Sequence, residues 1–261
     1  MKLSRAAILV FALVVSGCAV QPTQPEVRPD RDTSGAEPDG RMRARIHTEL
    51  AAGYFELGNM SVALEEANIA LRADPNYSPT HNVAALIYSS LKEDRLAEQS
   101  FQQALRINPS DSDAYNNYGW FLCQRKREGE ALKQFEAALR NPLYQYPDRT
   151  YVNAGLCARQ QGDHAAAEQY FQSALKLRPT QPQALYQIAD LAYERGDFAL
   201  AKQYLDRLTK VAQPNAQVLW LGLRIERRLG DRTSEESYAH RLRSNFPESR
   251  ETRALHAGQY E

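Results

Sequence analysis

Residues 112–143 read SDAYNNYGWFLCQRKREGEALKQFEAALRNPL, and this stretch decides the fold. It contains two helical segments separated by a polar, glycine-containing run at residues 124–129. Apolar and small residues recur at steps of three and four in both segments, which places them on one face of each helix. Pro142 ends the second segment because proline cannot donate a backbone hydrogen bond. Neither helix can bury its apolar face alone, so each is expected to pack on its partner and on neighbouring pairs.

The same pattern returns with a period of 34 residues. With Ser112 as position 1, position 20 is small in five copies and position 24 is aromatic in three. These residues are Ala63, Ala97, Ala131, Ala167 and Ala201 at position 20, and Phe101, Phe135 and Phe171 at position 24. Small residues at positions 8 and 20 let the two helices of one repeat approach closely, while the aromatic residue fills the gap toward the next repeat.

A helix pair of this period resembles the tetratricopeptide (TPR) repeat. The sequence therefore predicts an all-α fold, a TPR superhelical solenoid of about six helix-turn-helix repeats at residues 41–250. The repeats are expected near residues 44–77, 78–111, 112–147, 148–181, 182–215 and 216–249. In the first repeat we expect Leu50, Ala51 and Tyr54 on the core face of the first helix.

The N-terminus has the features of a secretory signal. Lys2 and Arg5 precede an apolar core at residues 6–15, which is too short to span a bilayer. The following residues 15–18, VSGC, resemble a bacterial lipobox, which implies a lipoprotein signal peptide at residues 1–17 and lipidation of Cys18. Ala19 after the cysteine implies sorting to the outer membrane, with the protein lipid-anchored on the periplasmic face. An ordinary signal peptide with an incidental cysteine is the alternative.

Two segments outside the repeats are polar. Residues 18–40 combine the lipidated end with a proline-rich run that has almost nothing apolar to bury, which predicts a disordered tether. At the other end, residues 251–261 are expected to form a polar tail that is only partly ordered. The sixth repeat is rich in arginine, which fits a polar cap on the end of the stack; a site for an anion or a partner is the alternative.

The first helices of stacked TPRs line the concave wall of the superhelix, chiefly through positions 2, 5, 9, 12 and 13. Position 9 lacks the asparagine of TPRs that clamp a carboxylate, so an apolar groove with aromatic anchors is favoured. The candidate groove residues are Ala52, Phe55, Asn82, Leu86, Trp120 and Leu156. The alternative for Phe55 and Trp120 is that they only pack between neighbouring helices.

Two cysteines remain once Cys18 is acylated. Cys123 and Cys157 fall on the first helices of adjacent repeats, which lie side by side in a TPR stack. In an oxidising compartment a disulfide between them is plausible, and it would contribute about 3–4 kcal/mol. Two buried free thiols are the alternative.

The sequence contains no arrangement of residues typical of catalysis. It has no HExxH, no phosphate-binding glycine loop and no GxSxG motif, so we predict a binding scaffold rather than an enzyme. His47 and His81 stand one period apart at a core-edge position and are interpreted as structural, so no metal or cofactor is expected. The 32 basic and 32 acidic residues balance, which argues against a nucleic-acid partner.

Several short sequence runs resemble one particular family of TPR proteins. The runs NNYGWFLC at residues 116–123, NPLY at 141–144 and NAGLC at 153–157 are similar to the PilF/PilW family of type IV pilus biogenesis and stability lipoproteins, over essentially the whole chain. The resemblance implies a pilotin, which escorts the pilus secretin to the outer membrane and promotes its multimerisation for pilus assembly and twitching motility. A general periplasmic TPR adaptor for cell-wall enzymes or outer-membrane protein assembly is the alternative.

Overall fold

The computed structural model describes residues 39–260, and every regular element within them is an α-helix. The helices are α1 (Asp39–Glu56), α2 (Met60–Ala73), α3 (Ser78–Ser90), α4 (Asp94–Ile107), α5 (Ser112–Gln124), α6 (Glu128–Leu139), α7 (Pro147–Gln160), α8 (His164–Leu177), α9 (Pro182–Glu194), α10 (Phe198–Val211), α11 (Ala216–Leu229), α12 (Arg232–Asn245) and α13 (Arg250–His256). The expected signal peptide, Cys18 and most of the tether lie outside the described residues.

Helices α1 to α12 form six helix-turn-helix pairs in chain order. Each helix packs mainly on its pair partner and on the helices of the next pair, and first helices also contact each other, as α1 does α3 and α3 does α5. This is the nearest-neighbour packing of a repeat solenoid. The predicted all-α TPR superhelix is confirmed.

In the third and fourth pairs, close approach of the two helices depends on a glycine that faces an aromatic ring. A Cβ atom added at Gly119 would lie 2.7 Å from the ring of Phe135, and one at Gly155 would lie 2.5 Å from the ring of Phe171. Both rings are almost completely buried. No side chain fits at these glycines unless the ring moves, so the small residue at position 8 and the aromatic residue at position 24 form one packing unit.

The turn inside each pair contains one residue with positive φ, and these residues also recur at the repeat period. Two of the six are lysines, Lys92 (φ 65°) and Lys126 (φ 59°). The other four are Gly58, Gly162, Gly196 and Gly230. A side chain in the left-handed region costs about 1 kcal/mol relative to glycine, so the turns of the second and third pairs are locally strained where the others are not.

The first repeat differs from the prediction in two respects. Helix α1 begins at Asp39, so residues 39 and 40, which we assigned to the tether, are helical. Leu50 does not lie on the core face: it is 43% exposed, on the same side of α1 as Met42 and Ile46. The first pair has no preceding pair to cover that side within residues 39–260, so its apolar residues face outward.

The C-terminal residues are more ordered than we expected. Helix α13 packs on α11 and α12, and Thr252 within it is buried, where its hydroxyl donates to the backbone oxygen of Phe246 at 2.7 Å. Beyond the helix, the ring of Tyr260 stacks on Trp220 with centroids 5.9 Å apart. The expected partly ordered tail is therefore wrong, because buried contacts to the last pair hold these polar residues in place.

Candidate partner-binding groove

All six residues of the candidate groove lie on first helices of the N-terminal four pairs. Ala52 and Phe55 are on α1, Asn82 and Leu86 on α3, Trp120 on α5 and Leu156 on α7, and every one is partly buried. We call these six residues the N-terminal groove. Its members are neither fully enclosed nor fully solvated, which is the condition for apolar anchors that a partner can cover.

The large apolar members of the N-terminal groove also contact the core. Phe55 packs against the buried cluster of the first two pairs, and Trp120 packs against the cluster around Phe121 and Leu122. Each keeps part of its side chain exposed. Phe55 and Trp120 thus each pack against the core on one side and remain exposed on the wall on the other. The core contacts hold these anchors in position before any partner binds.

A chain of asparagine amides crosses the wall beside these anchors, which we did not predict. Asn117 Nδ2 donates to Asn82 Oδ1 at 3.2 Å, and Asn153 Nδ2 donates to Asn116 Oδ1 at 2.9 Å. Asn116 Nδ2 completes the link to Asn117 Oδ1 at 3.4 Å. The sequence signal was available, because asparagines recur about one period apart on α3, α5 and α7. These bonds fix the register of three neighbouring first helices.

A disulfide lies beneath the same part of the wall. Cys123 on α5 and Cys157 on α7 are joined with their Cα atoms 5.8 Å apart, and both are buried. Trp120 and Leu156 precede these cysteines in their helices. The bond therefore ties together the two helices that carry half of the apolar anchors.

The concave wall becomes polar and charged where the fourth pair meets the fifth. Arg159 on α7 donates to Asp190 at 2.7 Å and to Glu194 at 2.5 Å, and also to Gln187, all on α9. Burial disfavours the charge of Arg159, but the hydrogen bonds and negative charges of the two acids raise its pKa above the ordinary arginine value. The network joins the fourth and fifth pairs through polar contacts where the N-terminal groove uses apolar ones.

Beyond this network the wall ends in a pocket of about 540 Å³ between α9, α11 and α13. We call it the C-terminal pocket, and its polar lining comes chiefly from Tyr186, Trp220, Arg224, Arg250, Glu251 and Arg253. None of these residues is in the candidate groove that the sequence predicted. The sixth repeat was interpreted as a cap, with a site for an anion or a partner as the alternative, and in the structure this repeat and α13 line a pocket.

We also searched the described residues for a metal-binding site and for a membrane-spanning helix. Residues 39–260 contain no cluster of three or more His, Cys, Asp and Glu side chains arranged for a metal ion. No helix in the same range is long and apolar enough to cross a membrane. His47, which we interpreted as structural, contacts Glu66 at 2.5 Å, so it takes part in packing of the first pair.

Comparison with protein families agrees with the repeat architecture. Four models described as tetratricopeptide repeat match residues 78–111, 100–140, 129–182 and 158–221. The chain is also similar to the type IV pilus assembly protein PilF of Pseudomonas aeruginosa, with 30% identity over 254 residues that cover 96% of this chain and 98% of PilF.

Solved structures give the same relationship. The structure of Pseudomonas aeruginosa PilF matches with a TM-score of 0.74 and 32% identity, over 84% of this chain and 99% of that one. PilW, described as a widely conserved type IV pilus biogenesis factor, matches with a TM-score of 0.73 and 34% identity, over 81% of this chain and 97% of that one. The chain therefore belongs to the PilF/PilW family of tetratricopeptide-repeat proteins of type IV pilus biogenesis.

Proposed function

We propose that this protein is an outer-membrane lipoprotein that acts as the pilotin of the type IV pilus secretin. It binds the secretin through the N-terminal groove and promotes the secretin's arrival and multimerisation at the outer membrane. The observation that carries the proposal is the row of partly exposed apolar side chains on four neighbouring first helices, in a chain of the PilF/PilW family. The protein acts as a scaffold and not as an enzyme.

The groove supplies affinity by covering an apolar segment of the secretin. Burying one large apolar side chain completely is worth about 1.5–3 kcal/mol, so the anchors Phe55, Leu86, Trp120 and Leu156 together provide a central cluster of the kind that dominates protein interfaces. Because the core packing and the asparagine chain hold these anchors in place, little conformational entropy is lost on binding. A secretin segment that would otherwise aggregate is covered during transit.

Lipidation of Cys18 supplies the membrane destination. A single acyl chain binds a membrane only marginally, at about 0.8 kcal/mol per buried methylene, whereas two or three chains anchor stably. We expect Cys18→Ser to leave the protein in the soluble periplasmic fraction, as measured by fractionation and immunoblotting. If the variant remained wholly in the outer-membrane fraction, the proposed lipid anchor at Cys18 would be wrong. That result would not bear on binding by the N-terminal groove.

The first test of the groove is an unboiled gel of membranes, probed for the pilus secretin. Leu86→Glu places a charge among the apolar anchors, so we expect loss of the heat-labile, high-mass secretin band with an unchanged melting temperature. The matched control is Leu177→Glu, because Leu177 is 55% exposed on the second helix α8, away from the wall. The control should keep the multimer.

Deletion of the protein separates this function from its alternative. We expect secretin monomers to remain in the inner membrane of the deletion strain. An unchanged secretin multimer in that strain would instead favour a general periplasmic adaptor for another envelope complex.

A further inference from the structure

The C-terminal pocket combines positive charge with donors that have no acceptor. Three arginines and one glutamate in its lining give a net charge of +2. Arg224 makes no hydrogen bond to any residue of the described chain, and its Nε is buried without a partner. Its nearest acid is Asp190, whose Oδ1 lies 3.7 Å from the guanidinium, beyond hydrogen-bond distance. Such an unsatisfied, charged donor is costly in a folded protein.

The position of Arg224 is fixed although its hydrogen bonds are not made. Its guanidinium lies 4.6 Å from the centre of the Tyr193 ring, and the side chain is only 19% exposed. Asp190 accepts from Arg159 at 2.7 Å through Oδ2, and its Oδ1 lies 3.7 Å from Nη2 of Arg224, so it forms an ion pair with Arg224 but no hydrogen bond. The Nη groups of Arg224 are therefore held in one position beside the pocket, without the flexibility of a solvated arginine.

Further donors surround the same space. Arg250 at the start of α13 and the Tyr186 hydroxyl on α9 line the pocket, and neither is hydrogen-bonded to a described residue. Burial, followed by the charge of Asp190, raises the pKa of Tyr186 to about 12. Its hydroxyl thus remains protonated at neutral pH and can donate. Trp220 adds an aromatic wall, which its stacking on Tyr260 holds in place.

We propose that the C-terminal pocket is a second binding site, which takes a carboxylate-bearing peptide segment. A carboxylate fits because its two oxygens match the paired N–H groups of a guanidinium, and because a net positive pocket attracts it. Arg224 and Arg250 bind the carboxylate from α11 and α13, while Tyr186 and Trp220 contact the apolar part of the peptide. The site is separate from the N-terminal groove and does not depend on secretin binding there.

Fluorescence anisotropy with the full chain in detergent tests the site. Three fluorescein-labelled nonapeptides are used, each a Gly-Ser scaffold with one central leucine: one with two internal glutamates and an amidated end, one with a free terminal carboxylate and no acidic side chain, and one with neither. We expect binding of the first or the second, weakened by salt, and none of the third. Which of the two binds distinguishes a side-chain carboxylate from a chain terminus.

Arginine variants show whether binding uses this pocket. Arg224→Gln and Arg250→Gln should each weaken the peptide about tenfold, the usual effect of losing a hydrogen bond to a charged group. Arg250 is exposed and has no hydrogen bond or ion pair to another described residue, so its variant tests the site even if Arg224→Gln unfolds. The matched control is Arg243→Gln, which removes the same charge from the exposed surface of α12 outside this pocket. Unchanged affinity is expected there.

Two results overturn the proposal. One is the absence of carboxylate-dependent peptide binding, or binding that Arg224→Gln and Arg250→Gln leave unaltered. The other is binding to phosphatidylglycerol vesicles that requires both arginines when no peptide binds, which would assign the pocket to an anionic lipid surface. Because the secretin multimer assay reads the N-terminal groove, failure here is distinguishable from failure of the pilotin proposal.

Discussion

The N-terminal groove and the α9 and α11 residues of the C-terminal pocket occupy equivalent positions of one repeating scaffold, yet their chemistry is opposite. Position 9 of the first helix is apolar in the first four repeats and charged in the last two. The residues in order are Ala52, Leu86, Trp120, Leu156, Asp190 and Arg224. A repeat fixes where a side chain projects but not what it is, so one wall can present an apolar surface and a charged one without any change of backbone.

The largest expected loss of stability comes from a substitution in the core between the N-terminal groove and the C-terminal pocket. Phe171 on α8 is completely buried against Gly155, in the fourth pair, which carries the last groove residue and borders the pair whose α9 lines the pocket. Phe171→Ala should lower the free energy of unfolding by about 3–5 kcal/mol, because the cavity cannot close around rigid helices. Urea unfolding measures this loss.

The fluorescence of the chain's two tryptophans allows the unfolding of the two regions to be followed separately. Trp120 reports on the N-terminal groove and Trp220 on the C-terminal pocket, so replacing either with phenylalanine isolates the other's fluorescence. Because solenoid stability is a sum of repeats and their interfaces, we expect the two transitions to separate in the Phe171→Ala background. A loss below about 1 kcal/mol would show that the site repacks.

The disulfide should matter more to the groove than to the pocket. Removing both sulfurs with Cys123→Ala and Cys157→Ala should cost about 3–4 kcal/mol, the chain-entropy value for the bridged loop. The Trp120 transition should move to lower urea, with a smaller change at Trp220. Reductant should shift the parent protein in the same way and leave the double variant unchanged. Equal shifts at both tryptophans would contradict a local effect.

The smallest expected changes in stability come from the turns inside the helix pairs, where lysine or glycine adopts a positive φ. Lys126→Gly should stabilise the protein by about 1 kcal/mol, because Lys126 has φ 59° and a side chain is disfavoured there. Gly196→Ala, at the corresponding turn with φ 85°, should destabilise it by a similar amount. Thermal unfolding measures both. Shifts of the same sign would mean that contacts of the side chains outweigh the backbone conformation.

Most of the fold could be predicted because it repeats. The helix pairs, the buried position-24 rings and the close approach at Gly119 all follow from residue spacing that recurs. The errors fall where repetition stops. Leu50 resembles its core counterparts, but within residues 39–260 no preceding pair covers it, and the repeat period does not show which pair lacks a neighbour.

The candidate site was predictable only in part, for related reasons. Apolar residues of the N-terminal groove stand out by position along the repeat. The C-terminal pocket does not, since α13 lies outside the period and its contacts to Trp220 and Arg224 are set by tertiary packing. Arg224 differs from the other arginines of the sixth repeat in that its Nε is buried without a hydrogen-bond partner among the described residues, which the sequence cannot show.

The disulfide also decides how the protein responds to tension. When the ends of the chain are pulled apart, force passes from Cys123 to Cys157 through the sulfur bond and bypasses the residues between them, which the sequence separation of 34 encloses. At 3.3–3.6 Å per extended residue, roughly 110 Å of contour stays slack. The second helix of the third pair and much of α7 are therefore shielded mechanically, and extension stops short until the bond is reduced.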